Sequence, residues 1–164
     1  MKIWIKAGIM IFTIILELLL GNILAFYTVK PDLILIVVIC LSFLSDFQEG
    51  AIIGFAGGLL KDIFSVGLLG AHALVKTAIG YLSGIIRERI FYQHLLWLIA
   101  ITTFIFTFLN NIFLYYLLKS LYSEYIFLII LKKYILVQAS VNCILAPFIF
   151  ISIKKLLTYV SRWS

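Results

Sequence analysis

Charge is scarce in this chain. Asp, Glu, Lys and Arg make up 12% of its 164 residues, about half the share found in soluble domains. So few charged side chains cannot cover a water-facing surface, and a soluble globular fold is excluded. Proline occurs only twice, as does cysteine. Cys40 and Cys143 both sit inside apolar runs, which reads as small packing residues rather than a disulfide, and no metal-ligand spacing accompanies them. Catalytic signatures are also missing. There is no H-E-x-x-H, no phosphate loop, and no Ser or Cys beside a His in a recognisable motif. No enzyme and no cofactor are implied.

What the chain has in abundance is apolar length. Hydrophobic residues reach 65% and the mean hydropathy is +1.21. A bilayer-spanning helix needs about 20 mostly apolar residues. Six segments approach this, at about 3–26, 32–45, 50–64, 71–86, 95–118 and 134–157, and the length suits one integral membrane domain. The fold class expected is therefore all-α, a six-transmembrane-helix bundle. The first segment is too long for a signal-peptide core and is read as a mature helix. Pro31 and Asp32 suit the opening of the second segment. Segments two and three are individually short, so they form either two crossings or one re-entrant hairpin. Two crossings are favoured, provided that the bilayer is locally thin or their charged ends are buried in protein. The stretch Lys119–Lys133 holds an apolar core, Tyr125–Leu131, too short to span and expected at the interface. His94 is also expected there.

The excess of basic residues, +6 net, would suggest a nucleic-acid partner in a soluble protein. Here it has a better use at helix ends, against anionic headgroups. With six spans, one side would hold Lys2, Lys6, Arg87, Arg89, Lys154, Lys155 and Arg162. The other would hold Lys30, Lys61, Lys119, Lys132 and Lys133, with Lys76 inside a span. The richer side carries both termini, which places them in the cytoplasm.

Two constellations stand out. Gly50, Gly54 and Gly58 recur every fourth residue, with Gly57 beside them. Gly80 and Gly84 repeat the spacing in segment four, with Ala73 and Thr77 near the same face. Small residues so spaced let helix backbones approach where lipid supplies no hydrophobic drive, so segments three and four are expected to pack face to face. The second constellation is polar: Glu17 mid-segment one, Lys61 and Asp62 at the end of segment three, and His72 and Lys76 one turn apart in segment four. Charges within a bilayer cost about 2.5–3.5 kcal/mol each and seek partners. The expected pairs are Glu17 with Lys76 and Asp62 with His72. A ligand or ion site is the sharper reading. A structural pair is the plainer one and is favoured, because no run of further charges leads away from it. Asn110 and Asn111, with Gln138 and Asn142, read as interhelical hydrogen-bonding glue.

The run Pro31-Asp32-Leu33, then Glu49-Gly50 with Gly54 to Asp62, then Gly67-Leu68-Leu69-Gly70, then Gly80-Tyr81-Leu82-Ser83-Gly84 and Arg87, resembles the rod shape-determining protein MreD family. Length and layout agree over the whole chain, whereas the specific motifs lie between Pro31 and Arg87. The resemblance implies a non-catalytic protein of the bacterial inner membrane. Its partners would be the membrane helix of MreC and, indirectly, MreB and the RodA–penicillin-binding-protein synthase of peptidoglycan synthesis. It also implies a fold like the substrate-binding S-component of energy-coupling-factor transporters, and hence a rival function, capture of a vitamin for uptake. Those subunits dock through an A-x-x-x-A stripe on the first helix. Here Ala7 is followed by Ile11, and only Gly21 with Ala25 fits, which weighs against transport.

Overall fold

The computed structural model describes residues 2–23, 30–65, 69–89, 95–119 and 127–161. Six helices lie among them: α1 (Lys2–Ile23), α2 (Leu33–Ser42), α3 (Phe47–Phe64), α4 (Ala71–Arg89), α5 (Leu95–Lys119) and α6 (Phe127–Ser161). Their order follows the apolar segments of the sequence. Residues 24–29 and His94 lie outside the described residues, and so does Gly67 of the glycine-bounded loop.

α2 is apolar on every side, and a helix of that kind belongs in an interior. All ten of its residues are buried. Asp32 caps it, its carboxylate accepting the Leu35 N–H at 3.0 Å. The helix ends at Ser42 in a tightened turn, Leu44 N–H to Leu41 O and Ser45 N–H to Ser42 O, three residues earlier than the sequence suggests. Ten residues rise about 15 Å, roughly half the hydrocarbon thickness of a bilayer. Of the charged residues at the ends of the short segments, Asp32 and Asp62 are buried and Asp46 is exposed.

α3 and α4 form the closest pair. A Cβ built on Gly54 would overlap the Lys76 carbonyl, one on Gly58 would overlap Ala73 and the His72 carbonyl, and one on Gly50 would overlap the Gly80 carbonyl. Gly84 is likewise pressed against the Phe47 backbone. Backbone meets backbone along this seam, which only glycine permits. Gly57 faces elsewhere, against Met10 of α1 and Val38 and Ile34 of α2. Gly70, at φ +96°, makes the turn into α4 in a conformation that favours glycine.

α6 runs unbroken from Phe127 across 35 residues, with Pro147 inside it. Residues 127–133 therefore extend a long helix instead of forming a separate interfacial segment. Lys132 and Lys133 are adequate helix formers and give the backbone no reason to stop. Residues 120–126 lie outside the described part. Among the described residues, Leu95–Tyr116 and Tyr134–Val160 are by themselves long and apolar enough to cross a membrane, with mean hydropathy 1.9 and 2.0. Both cysteines are free, with Cys40 buried and Cys143 half-buried.

Candidate functional site

The polar residues gather at two levels of the bundle. At one end, the Lys6 ammonium of α1 donates to Ser45 Oγ and to Glu49 Oε1, both at 2.7 Å. Arg87, near the end of α4, donates to the Ser45 carbonyl at 3.1 Å. The turn between α2 and α3 thus meets the start of α1 and the end of α4. Eleven residues along α1, about 16 Å higher, lies Glu17 and the second cluster.

Four charges link four helices there. The Lys61 ammonium of α3 lies 3.0 Å from Glu17 Oε1 and 2.8 Å from Asp32 Oδ1. Lys76 of α4, with no exposed surface, lies 3.0 Å from Asp32 Oδ2. Glu17 Oε2 accepts the Ile34 N–H at 3.0 Å. The expected partnership of Glu17 with Lys76 is corrected by these distances. Each has a different partner, and Asp32 joins Lys76 to Lys61. The expected isolation of the pair is corrected too, because the charges form a chain from the half-buried Glu17 to the fully buried Lys76. Two cations and two anions make the chain neutral, so each buried charge finds its counter-ion inside the protein.

Asp62 plays a different part from the one expected. Its carboxylate accepts the backbone N–H groups of Gly70, His72 and Ala73 at 3.0, 3.1 and 3.0 Å. It caps α4 from the end of α3, satisfying donors that a helix start leaves open. The backbone of His72, not its imidazole, is the partner, and the buried His72 Nδ1 has none in the structure.

α5 and α6 extend the network with neutral groups. The Asp32 N–H donates to Asn142 Oδ1 at 3.2 Å, and Asn142 Nδ2 donates to Thr107 Oγ1 at 3.2 Å. Asn111 Nδ2 donates to Gln138 Oε1 at 2.7 Å, and Gln138 Nε2 donates to the Lys30 carbonyl. The expected glue residues are thus placed, although Asn110 Oδ1 is buried without a partner. Side chains from all six helices converge at this level. The sequence marks Lys61 beside Asp62 without assigning it a partner, and it leaves Asp32 out; the signal for Asp32 is an acid opening a wholly apolar segment, which must find a cation inside.

The arrangement locks helices together by ion pairs and hydrogen bonds. Its four charged groups satisfy one another, and among the described residues Glu17 and Lys61 form their exposed edge. Replacing Glu17 by Gln keeps an acceptor for Lys61 and for the Ile34 N–H, whereas Leu keeps neither. Glu17→Gln is therefore expected to lower the unfolding free energy in mild detergent less than Glu17→Leu, by about 1–3 kcal/mol. Equal losses for the two would show that the acceptor does not matter.

Outside the network the helices turn apolar faces outward: Ile11, Ile15 and Leu18 on α1, Ile52, Phe55 and Ile63 on α3, and Trp97, Ile101 and Ile105 on α5 are all exposed. Apolar outer faces around an interior of paired charges define an α-helical membrane protein. Residues 1–156 match the family described as rod shape-determining protein MreD, and the chain belongs to that family. No curated protein and no solved structure matches it.

Proposed function

We propose that this protein is a non-catalytic scaffold of the cell-elongation machinery in the bacterial inner membrane. In this reading six helices cross the bilayer, both termini are cytoplasmic, and the outer face of the bundle receives the single membrane helix of MreC. Through MreC it connects to MreB and to the RodA–penicillin-binding-protein synthase. Family membership supports the part in rod shape. The observation that carries the mode of action is the division of the polar groups. The charged network is consumed inside the bundle, and the surfaces left for a partner are apolar helix faces. Such faces recognise another helix by packing within the membrane.

The sequence offers the stretch Gly50–Gly58 and the first segment, Ile3–Phe26, as the partner surface; α4 covers Gly50, Gly54 and Gly58, so in this reading the partner meets the outward rows of α1 and α3. Photo-cross-linking residues at Ile11, Ile15, Ile52 and Phe55, introduced one at a time in living cells, are expected to capture MreC. Residues introduced at Leu35 or Ile39, which are fully buried, are expected to capture nothing. Absence of an MreC adduct from every outward position would contradict the proposed docking.

A further inference from the structure

We propose that the groove between α1 and α6 holds the acyl chains of an anionic phospholipid, drawn from the leaflet on the side of Lys6, with its headgroup against Lys155. α1 and α6 each pack on α2, and between them lies an open cavity of about 770 Å³. Its floor is Leu33 and Val37 of α2, and its walls include Phe12 of α1 and Phe148 of α6. The two hydroxyls in its walls are already used. Thr13 donates to the Ile9 carbonyl and Ser152 to the Phe148 carbonyl. The groove therefore offers a guest apolar contact and no free hydrogen-bond donor, which suits hydrocarbon.

Length separates a lipid from a helix. The lining on α1 runs from Ile5 to Leu16, a rise of about 16 Å, and that on α6 from Phe148 to Leu156, about 12 Å. One leaflet contributes about 15 Å of hydrocarbon, and a spanning helix would need a seat about twice as long. The lining reaches Leu16 and Leu33, level with Glu17, a length that fits one leaflet.

Charge identifies the headgroup. Lys155 follows Ser152 by three residues and Phe148 by seven, which places it on the same edge of α6 beside the groove. Lys154 and Lys155 are exposed, and among the described residues neither forms an ion pair. Lys155 lies six residues before the end of α6 at Ser161, and a lysine beside a lipid-facing groove can extend its ammonium to the headgroup level, where it attracts anionic lipid. The trait is separate from the scaffold reading, since it needs only a bilayer.

The full chain, purified in mild detergent, can be examined by native mass spectrometry with phosphatidylglycerol or phosphatidylcholine of identical chains. Phosphatidylglycerol is expected to be retained preferentially. Lys155→Gln should reduce that preference about fivefold, whereas Lys154→Gln, on the far side of α6 from the groove, should leave it near the parent's value. Gly8 lines the groove, and a side chain there meets open space. Gly8→Trp should therefore expel the lipid while the thermal midpoint stays at the parent's value. Equal retention of both lipids, or lipid retained by Gly8→Trp at the parent's level, would overturn the proposal. A photo-cross-linker at Gly8 in native membranes should form lipid adducts. A protein adduct in their place would assign the groove to a partner helix and overturn it as well.

Discussion

Asp32→Leu is expected to cost about 3–5 kcal/mol, the range for leaving a buried charge without its partner. The reason is the position of one carboxylate. It holds Lys76 at 3.0 Å and Lys61 at 2.8 Å, and it caps α2 through the Leu35 N–H. Leucine removes all three interactions. Lys61 keeps Glu17, but Lys76 has no other acid within ion-pair distance among the described residues and no exposed surface by which to reach water. Asp32→Asn retains an oxygen for the cap and should cost less. Removing the stranded charge as well, in Asp32→Leu/Lys76→Leu, should recover part of the loss, with a coupling of about 0.5–3 kcal/mol. Unfolding in mild detergent, followed for the two singles and the double, gives the coupling directly. Simple additivity would mean that the two residues are not partners.

Gly54→Leu is expected to abolish the folded protein. Even a methyl group at Gly54 would overlap the carbonyl of Lys76, and helix backbone cannot move aside as a flexible side chain can. The α3–α4 seam would have to part, losing the dispersion contacts that drive helix association in lipid. It would also draw Lys76 away from Asp32, so the packing defect reaches the polar network. Gly58→Leu should behave alike. Gly8→Leu is the control, since nothing lies within 4 Å of a Cβ there. Size-exclusion profiles of the three variants should show a monodisperse peak for Gly8→Leu alone. Three comparable peaks would refute close packing at the seam.

The seam was legible in the sequence because glycine at fourth-residue spacing has few other uses, and the spacing itself places the small residues on one face. The polar cluster was legible as a set of residues but not as a set of pairs. Glu17 and Lys76 are conspicuous because each is a charge within an apolar run, and Asp62 because with Lys61 it interrupts one. Their partners depend on how the helix ends meet in three dimensions, which periodicity does not encode. Asp32 and Lys61 looked like ordinary helix-end residues, an N-cap and a basic last turn. Their central role arises because α2 is short and buried, so that its cap lies inside the bundle. Asp62 was misassigned for a related reason. Sequence spacing put it near His72, but the strongest donors nearby were the open backbone N–H groups at the start of α4. The groove between α1 and α6 left no signal, because it forms where two segments far apart in sequence both pack on α2.

These features give the account a consistent division of labour. Glycines and paired charges fix the bundle, and in the proposed function the apolar outer rows are what a membrane partner would meet. Cell shape on depletion of the protein is the most direct measurement. In a rod-shaped bacterium, depletion is expected to turn cells round within a few generations, with no vitamin requirement. Re-expression of the parent should restore rods, while Asp32→Leu should fail to. Cells that stay rod-shaped but lose uptake of a vitamin would contradict the account.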